Sequence, residues 1–206
     1  MRTPAPKSQF RRTVLFPVLL LLSIIGTASA QEAPARETAG QELDLLPPAP
    51  VVTEHTATIR GETVRYTAEA GTLPIREEGR TTAQMFYIAY TRTDLPEGTV
   101  RPLLFSFNGG PGTASVWMHM GYTGPRRVAY DDNGFQLQPP VGLEDNPESI
   151  LDVADIVYID PIATGFSRMV QGEDPHMYHG TLSDIQSVGE FIRLFIIKKN
   201  RWSSPK

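Results

Sequence analysis

The chain changes its hydrophobic rhythm three times. Residues 13–25 form an apolar block, broken only by Pro17 and Ser23. From Thr53 apolar and polar positions alternate, most clearly at 56–59, 64–68 and 84–90. A period of two predicts strands with one face inward and one wet, an antiparallel opening. Gly61-Glu62 separates the first two runs and predicts a hairpin. Residues 95–98, Leu-Pro-Glu-Gly, predict a turn. Residues 101–107 and 154–160 differ, being nearly continuous apolar runs, the pattern of strands covered on both faces. Between them runs a long segment of Gly, Pro and Asn, with a short helix predicted from Ser115 to Met120. The clearest helix is predicted over 181–200, where Leu182, Ile185, Val188, Ile192, Phe195 and Ile196 recur at helical spacing. Thr181 and Asp184 resemble a capping box, with Asp in place of Glu or Gln. Lys198, Lys199 and Arg201 suit its negative end, and Pro205 opposes continuation.

Composition narrows the picture. Arg2, Lys7, Arg11 and Arg12 precede the apolar block, and Ala28-Ser29-Ala30 follows it. A basic start, an apolar core and a small-x-small site read as a signal peptide over residues 1–30. The block falls short of the roughly 20 residues that span a bilayer, so export is expected rather than a stable membrane anchor, to the periplasm or outside the cell. With no cysteine in 206 residues, such a chain depends on a packed core and not on disulfides. Residues 31–52, rich in Ala, Glu and Pro, read as a disordered linker. Without residues 1–30 the chain carries 15 basic against 23 acidic residues, a net charge of about −8. Acidic, and with no basic cluster past the leader, it is a poor candidate for nucleic-acid binding.

The candidate chemistry lies at Asn108-Gly109-Gly110-Pro111-Gly112, directly after the first buried run. A strand ending in two glycines lets backbone N–H groups approach a ligand that side chains would keep away. In α/β-hydrolases such a loop supplies half of an oxyanion hole. No Gly-x-Ser-x-Gly occurs in the 206 residues. The expectation is therefore an α/β fold, the N-terminal part of an α/β-hydrolase over residues 53–206. Antiparallel opening strands lead to parallel strands with a helix, and the nucleophile strand and later elements are missing.

Four landmarks carry a resemblance: Asn-Gly-Gly-Pro-Gly at 108–112, Asp-Ile-Val-Tyr-Ile-Asp-Pro at 155–161, Thr-Gly-Phe-Ser at 164–167, and Val-Gly-Glu-Phe at 188–191 followed by Asn-Arg-Trp-Ser-Ser-Pro at 200–205. In this order they resemble the serine carboxypeptidase family over roughly residues 83–206, its bacterial, exported branch above all. The resemblance implies a peptide hydrolase that releases C-terminal residues through an acyl-enzyme. It implies that the Gly110 N–H is one oxyanion donor. Asn108, helped by the Gly109 N–H, would hold the substrate's C-terminal carboxylate. The catalytic serine, aspartate and histidine would lie beyond Lys206, so the chain alone is expected to be inactive. No cofactor or metal is implied, and the partners are peptide or protein C-termini. Thr113 follows the loop where many relatives have Cys or Ser. Ala163 stands where the family usually has glycine, and its methyl would strain a turn that needs positive φ.

Ser167 lacks a second glycine and reads as a turn hydroxyl. His176 and His179 read as two solvated histidines, because a metal needs three or more ligands. His55 and His119 read as structural, Asp160 as a hydrogen-bonding residue at a turn, and Trp117 and Trp202 as packed aromatics. A rival hydrolase is a prolyl aminopeptidase, which has His where Asn108 stands and a shorter path to its next strand. A second rival is a non-catalytic exported binding domain or a broken gene product.

Overall fold

The computed structural model describes residues 49–109, 112–135 and 137–206. The expected signal peptide and most of the expected linker lie outside them. Only the linker's end is described, and there Val51 and Val52 already belong to a strand.

Three long strands open the domain: β1 (Val51–Ile59), β2 (Glu62–Glu77) and β3 (Arg80–Arg92). Arg60 and Gly61, between β1 and β2, both have positive φ, the geometry of a two-residue turn whose twist matches its strands. Glu78 and Gly79 repeat that turn between β2 and β3, a hairpin the alternation did not mark because Gly71 and Pro74 interrupt it. Then come β4 (Leu103–Ser106), a short helix α1 (Val116–Met118) running into a π turn at His119–Thr123, and a two-stranded ribbon of β5 (Arg126–Val128) and β6 (Leu143–Asp145). A 3-10 turn at Ile150–Asp152 leads into β7 (Asp155–Ile159), followed by the two-residue β8 (Arg168–Met169), a 3-10 turn at Pro175–Tyr178 and α2 (Thr181–Lys198).

Among the described residues the main sheet runs β1-β2-β3-β7-β4, with β8 paired to β3. Strand β7 is antiparallel to β3 and parallel to β4, with Leu103 opposite Asp155 and Ser106 opposite Tyr158. Each face carries its own core. On one, Val188, Phe191 and Phe195 of α2 pack on Met85, Tyr87, Val157 and Ile159. On the other, Ile156 and Tyr158 pack with Ile59, Val64, Tyr66 and Leu151. All five residues of β7 are buried, which explains its unbroken apolar run.

Among the described residues strand β4 lies at the edge of the sheet, and only its cover departs from expectation: Leu104 and Phe107 are 40% and 46% exposed rather than covered on both faces. Helix α2 departs too. Leu182 and Ile185, expected in its core stripe, are exposed, and the buried face is Ser187, Val188, Phe191, Phe195 and Ile196. Its N-cap is Gly180, with no side-chain cap bond, so Thr181 opens the helix rather than capping it. Beyond the helix, Arg201 donates to the buried Asp155 carboxylate at 2.8 Å, and Arg101 donates to its other oxygen at 2.9 Å.

Candidate functional site

Two loops leave the sheet side by side. Strands β4 and β7 are parallel neighbours, so the loops that follow them, described over residues 107–109 and 112–115 and over 160–167, emerge together at their C-terminal ends. In open α/β sheets that end is where ligands bind. The first loop carries Asn108 and Gly109. Gly109 is exposed, and a side chain added there would meet nothing within 4 Å, so its backbone is approachable. Asn108 is half-buried. Its Nδ2 donates to the Gly109 carbonyl at 2.8 Å. An amide nitrogen carries two N–H donors, so this bond occupies one of them. Gly110 and Pro111 lie outside the described residues, and with them the expected oxyanion donor.

Ser115 closes the first loop onto the sheet. Its hydroxyl donates to the carbonyl of Ile159 on β7 and accepts the backbone N–H of Asn108 at 3.3 Å. Asp160, at the end of β7, is 7% exposed. One of its oxygens accepts the Ser115 N–H at 2.8 Å, and the other accepts the Phe166 N–H at 3.1 Å. This agrees with the expected hydrogen-bonding role and extends it, because the two donors sit on different loops. Ser167 is fully buried, accepting the Phe86 N–H at 2.8 Å and donating to the Asp160 carbonyl at 2.6 Å. That is a turn hydroxyl, as expected.

Ala163 has φ of 68°, so its methyl sits in the left-handed region that glycine favours. At Gly165, φ 47°, an added Cβ would fall 1.8 Å from an Asp160 carboxylate oxygen and 3.0 Å from the Ala114 side chain. Only glycine fits there, and the second loop therefore presses directly onto the carboxylate.

Behind the first loop, His119 is packed between Tyr90 and Tyr158, at ring distances of 5.3 and 4.8 Å. Burial pushes its imidazole down to about 4, against the opposing pull of the Asp160 charge. Burial likewise raises the Tyr90 and Tyr158 phenols. Asn146, fully buried, donates to the carbonyls of Tyr122 and Gly124, and Ser149 donates to that of Thr123. These two residues staple the π turn. Sequence reading missed them, although Asn before Pro and a Ser three residues later are turn and cap signals.

The remaining candidates fall elsewhere. His176 and His179 are exposed, with rings 6.1 Å apart. His55 stacks on Tyr66 at 5.5 Å and borders a shallow concavity of ≈ 560 Å³ with Arg65 and Asp94. Trp117 and Trp202 are exposed at 66% and 61%, contrary to the expectation of packing.

A family profile described as serine carboxypeptidase matches residues 60–203. Serine carboxypeptidase S10 family member 1 of Dictyostelium discoideum is 30% identical over 125 residues, 60% of this chain and 27% of that protein. Serine carboxypeptidase-like 31 of Arabidopsis thaliana is 28% identical over 191 residues, 89% of this chain and 32% of that protein. A crystal structure of a prohormone-processing carboxypeptidase from Saccharomyces cerevisiae superposes with a TM-score of 0.53 at 25% identity, covering 68% of this chain and 30% of that one. The chain thus spans about a third or less of the length of these relatives.

Proposed function

Because the chain belongs to the serine carboxypeptidase family, we propose that its loop end serves a hydrolase that releases C-terminal residues from peptides through an acyl-enzyme. The observation that carries this reading is the place of Asn108 and Gly109. An amide side chain and an uncovered backbone stand together at the C-terminal end of β4, with β7 alongside. An exopeptidase must hold a free carboxylate beside the scissile carbonyl. A loop that presents an Asn amide next to glycine N–H groups holds both with one rigid unit. In this reading Asn108 and the Gly109 N–H take the carboxylate, and the Gly110 N–H takes the developing oxyanion. Removing one such oxyanion donor costs about 3 kcal/mol of transition-state stabilisation. In this reading the acyl-enzyme forms on a serine nucleophile, and these 206 residues hold no Gly-x-Ser-x-Gly.

Export goes with this proposal, on the basic, apolar and small-residue pattern of residues 1–30. Among the described residues no helix is long and apolar enough to cross a membrane. The relatives named above are eukaryotic, so the bacterial branch rests on the loop motifs alone.

Calorimetric titration of the 206-residue chain tests the reading, with N-acetyl-Phe-Leu and its C-terminal amide as probes. The carboxylate form binds about tenfold or more tightly than the amide, and Asn108→Leu removes the difference. Equal affinities for the two probes would refute it.

A further inference from the structure

We propose that Asp160 is a positioning residue whose carboxylate clamps the two loops together and so sets the place of Asn108; its bearing on peptide binding rests on the function proposed above. The clamp has three parts. Asp160 takes the Ser115 N–H with one oxygen and the Phe166 N–H with the other, so each loop contributes one donor. Ser115 then passes the constraint on, since its hydroxyl spans from the Ile159 carbonyl to the Asn108 N–H. Gly165 leaves no room between the second loop and the carboxylate, which keeps that group from turning away. The backbone of Asp160 is itself fixed. Its N–H donates to Phe86 at 3.0 Å, and its carbonyl accepts the Ser167 hydroxyl. Asp160 is thus tied to Phe86 of β3 directly through its N–H and indirectly through Ser167, and its carboxylate carries that anchorage to both loops.

The chemistry demands a carboxylate. Two N–H donors converge on this side chain, and only a group that accepts at both oxygens satisfies them. In Asp160→Asn one oxygen becomes an NH2 that faces an N–H, donor against donor. The volume is kept and one anchor is lost. Glutamate adds a methylene where Gly165 leaves none.

Amide hydrogen exchange on the full chain, joined to the dipeptide titration, decides the point. In Asp160→Asn the amides of Asn108, Ser115 and Phe166 exchange about tenfold faster while those of Ile156–Ile159 keep their protection. Affinity for N-acetyl-Phe-Leu falls about tenfold, and that for its amide stays the same. A folded Asp160→Asn with unchanged loop exchange overturns the proposal, as does unchanged affinity in a chain that binds the carboxylate form. If Asp160→Asn loses the protection of β7, Ser115→Ala decides. It cuts the link from Asn108 to β7 and leaves the carboxylate in place, so faster Asn108 exchange and weaker binding support the clamp, and neither changing refutes it. A parent chain that shows no preference for the carboxylate removes the proposed function. The exchange rates alone then settle the clamp.

Discussion

His119 shows how a single side chain can be read from sequence and still withhold its main property. Its structural role was expected, and it packs between two tyrosines at the back of the first loop. The depth of burial was not legible, because it depends on Tyr158 arriving from β7, far along the chain. Burial holds the imidazole at about 4 when folded, against about 6.5 for an ordinary histidine. The unfolded chain therefore binds a proton that the folded one refuses between those two values. Stability is full above about pH 6.5 and is lost as pH falls toward 4, by up to about 3 kcal/mol. Urea midpoints at pH 7 and pH 4.5 check this. The parent chain loses more stability between them than His119→Gln does, and parallel losses would contradict the assignment. Asp160 and Ser167 were legible as turn residues, but their partners were not. A carboxylate at the end of a buried run announces a hydrogen bond without saying which loops it joins.

At the scale of elements, type and order were largely legible and coverage was not. Alternation marked β1 to β3, the unbroken run marked β7, and the 3.6-residue period marked α2. The same unbroken run over-read β4, because a buried strand and an apolar edge strand share one composition. In α2 the period was right and the face was wrong. Leu182 and Ile185 lie on the periodic stripe yet outside the contact with the sheet. The edge of β4 has a practical consequence. Leu104 and Phe107 are exposed beside backbone that no neighbouring strand covers among the described residues. Such an edge templates association between copies. Light scattering against concentration should show self-association of the chain, reduced in Leu104→Lys at little stability cost. A monodisperse parent chain at high concentration would contradict this.

For the molecule as a whole, a buried charge cluster ties the segment after α2 to the sheet. Asp155 is 2% exposed and takes Arg101 on one oxygen and Arg201 on the other, along with the Arg92 N–H. Arg201 also donates to the Arg101 carbonyl, and the Pro205 carbonyl accepts the Leu103 N–H. The segment after α2 is thereby fastened to the N-terminal ends of β4 and β7, opposite the loops. Sequence reading assigned Arg201 to the helix dipole, since nothing local shows that it meets a carboxylate 46 positions away. Asp155→Ala leaves two arginines without their counter-ion and costs about 3–5 kcal/mol, readable by chemical denaturation. A loss below about 1 kcal/mol would mean the cluster is solvated instead.

Under the proposed function Asn108 and Gly109 face an incoming carboxylate at the C-terminal end of β4. The decisive measurement is a residue-by-residue amide shift map of the full chain, recorded while N-acetyl-Phe-Leu is added. The largest shifts are expected at Asn108 and Gly109, and none there with the C-terminal amide. Shifts centred instead on the concavity beside His55 and Tyr66, or identical maps for both peptides, would contradict it.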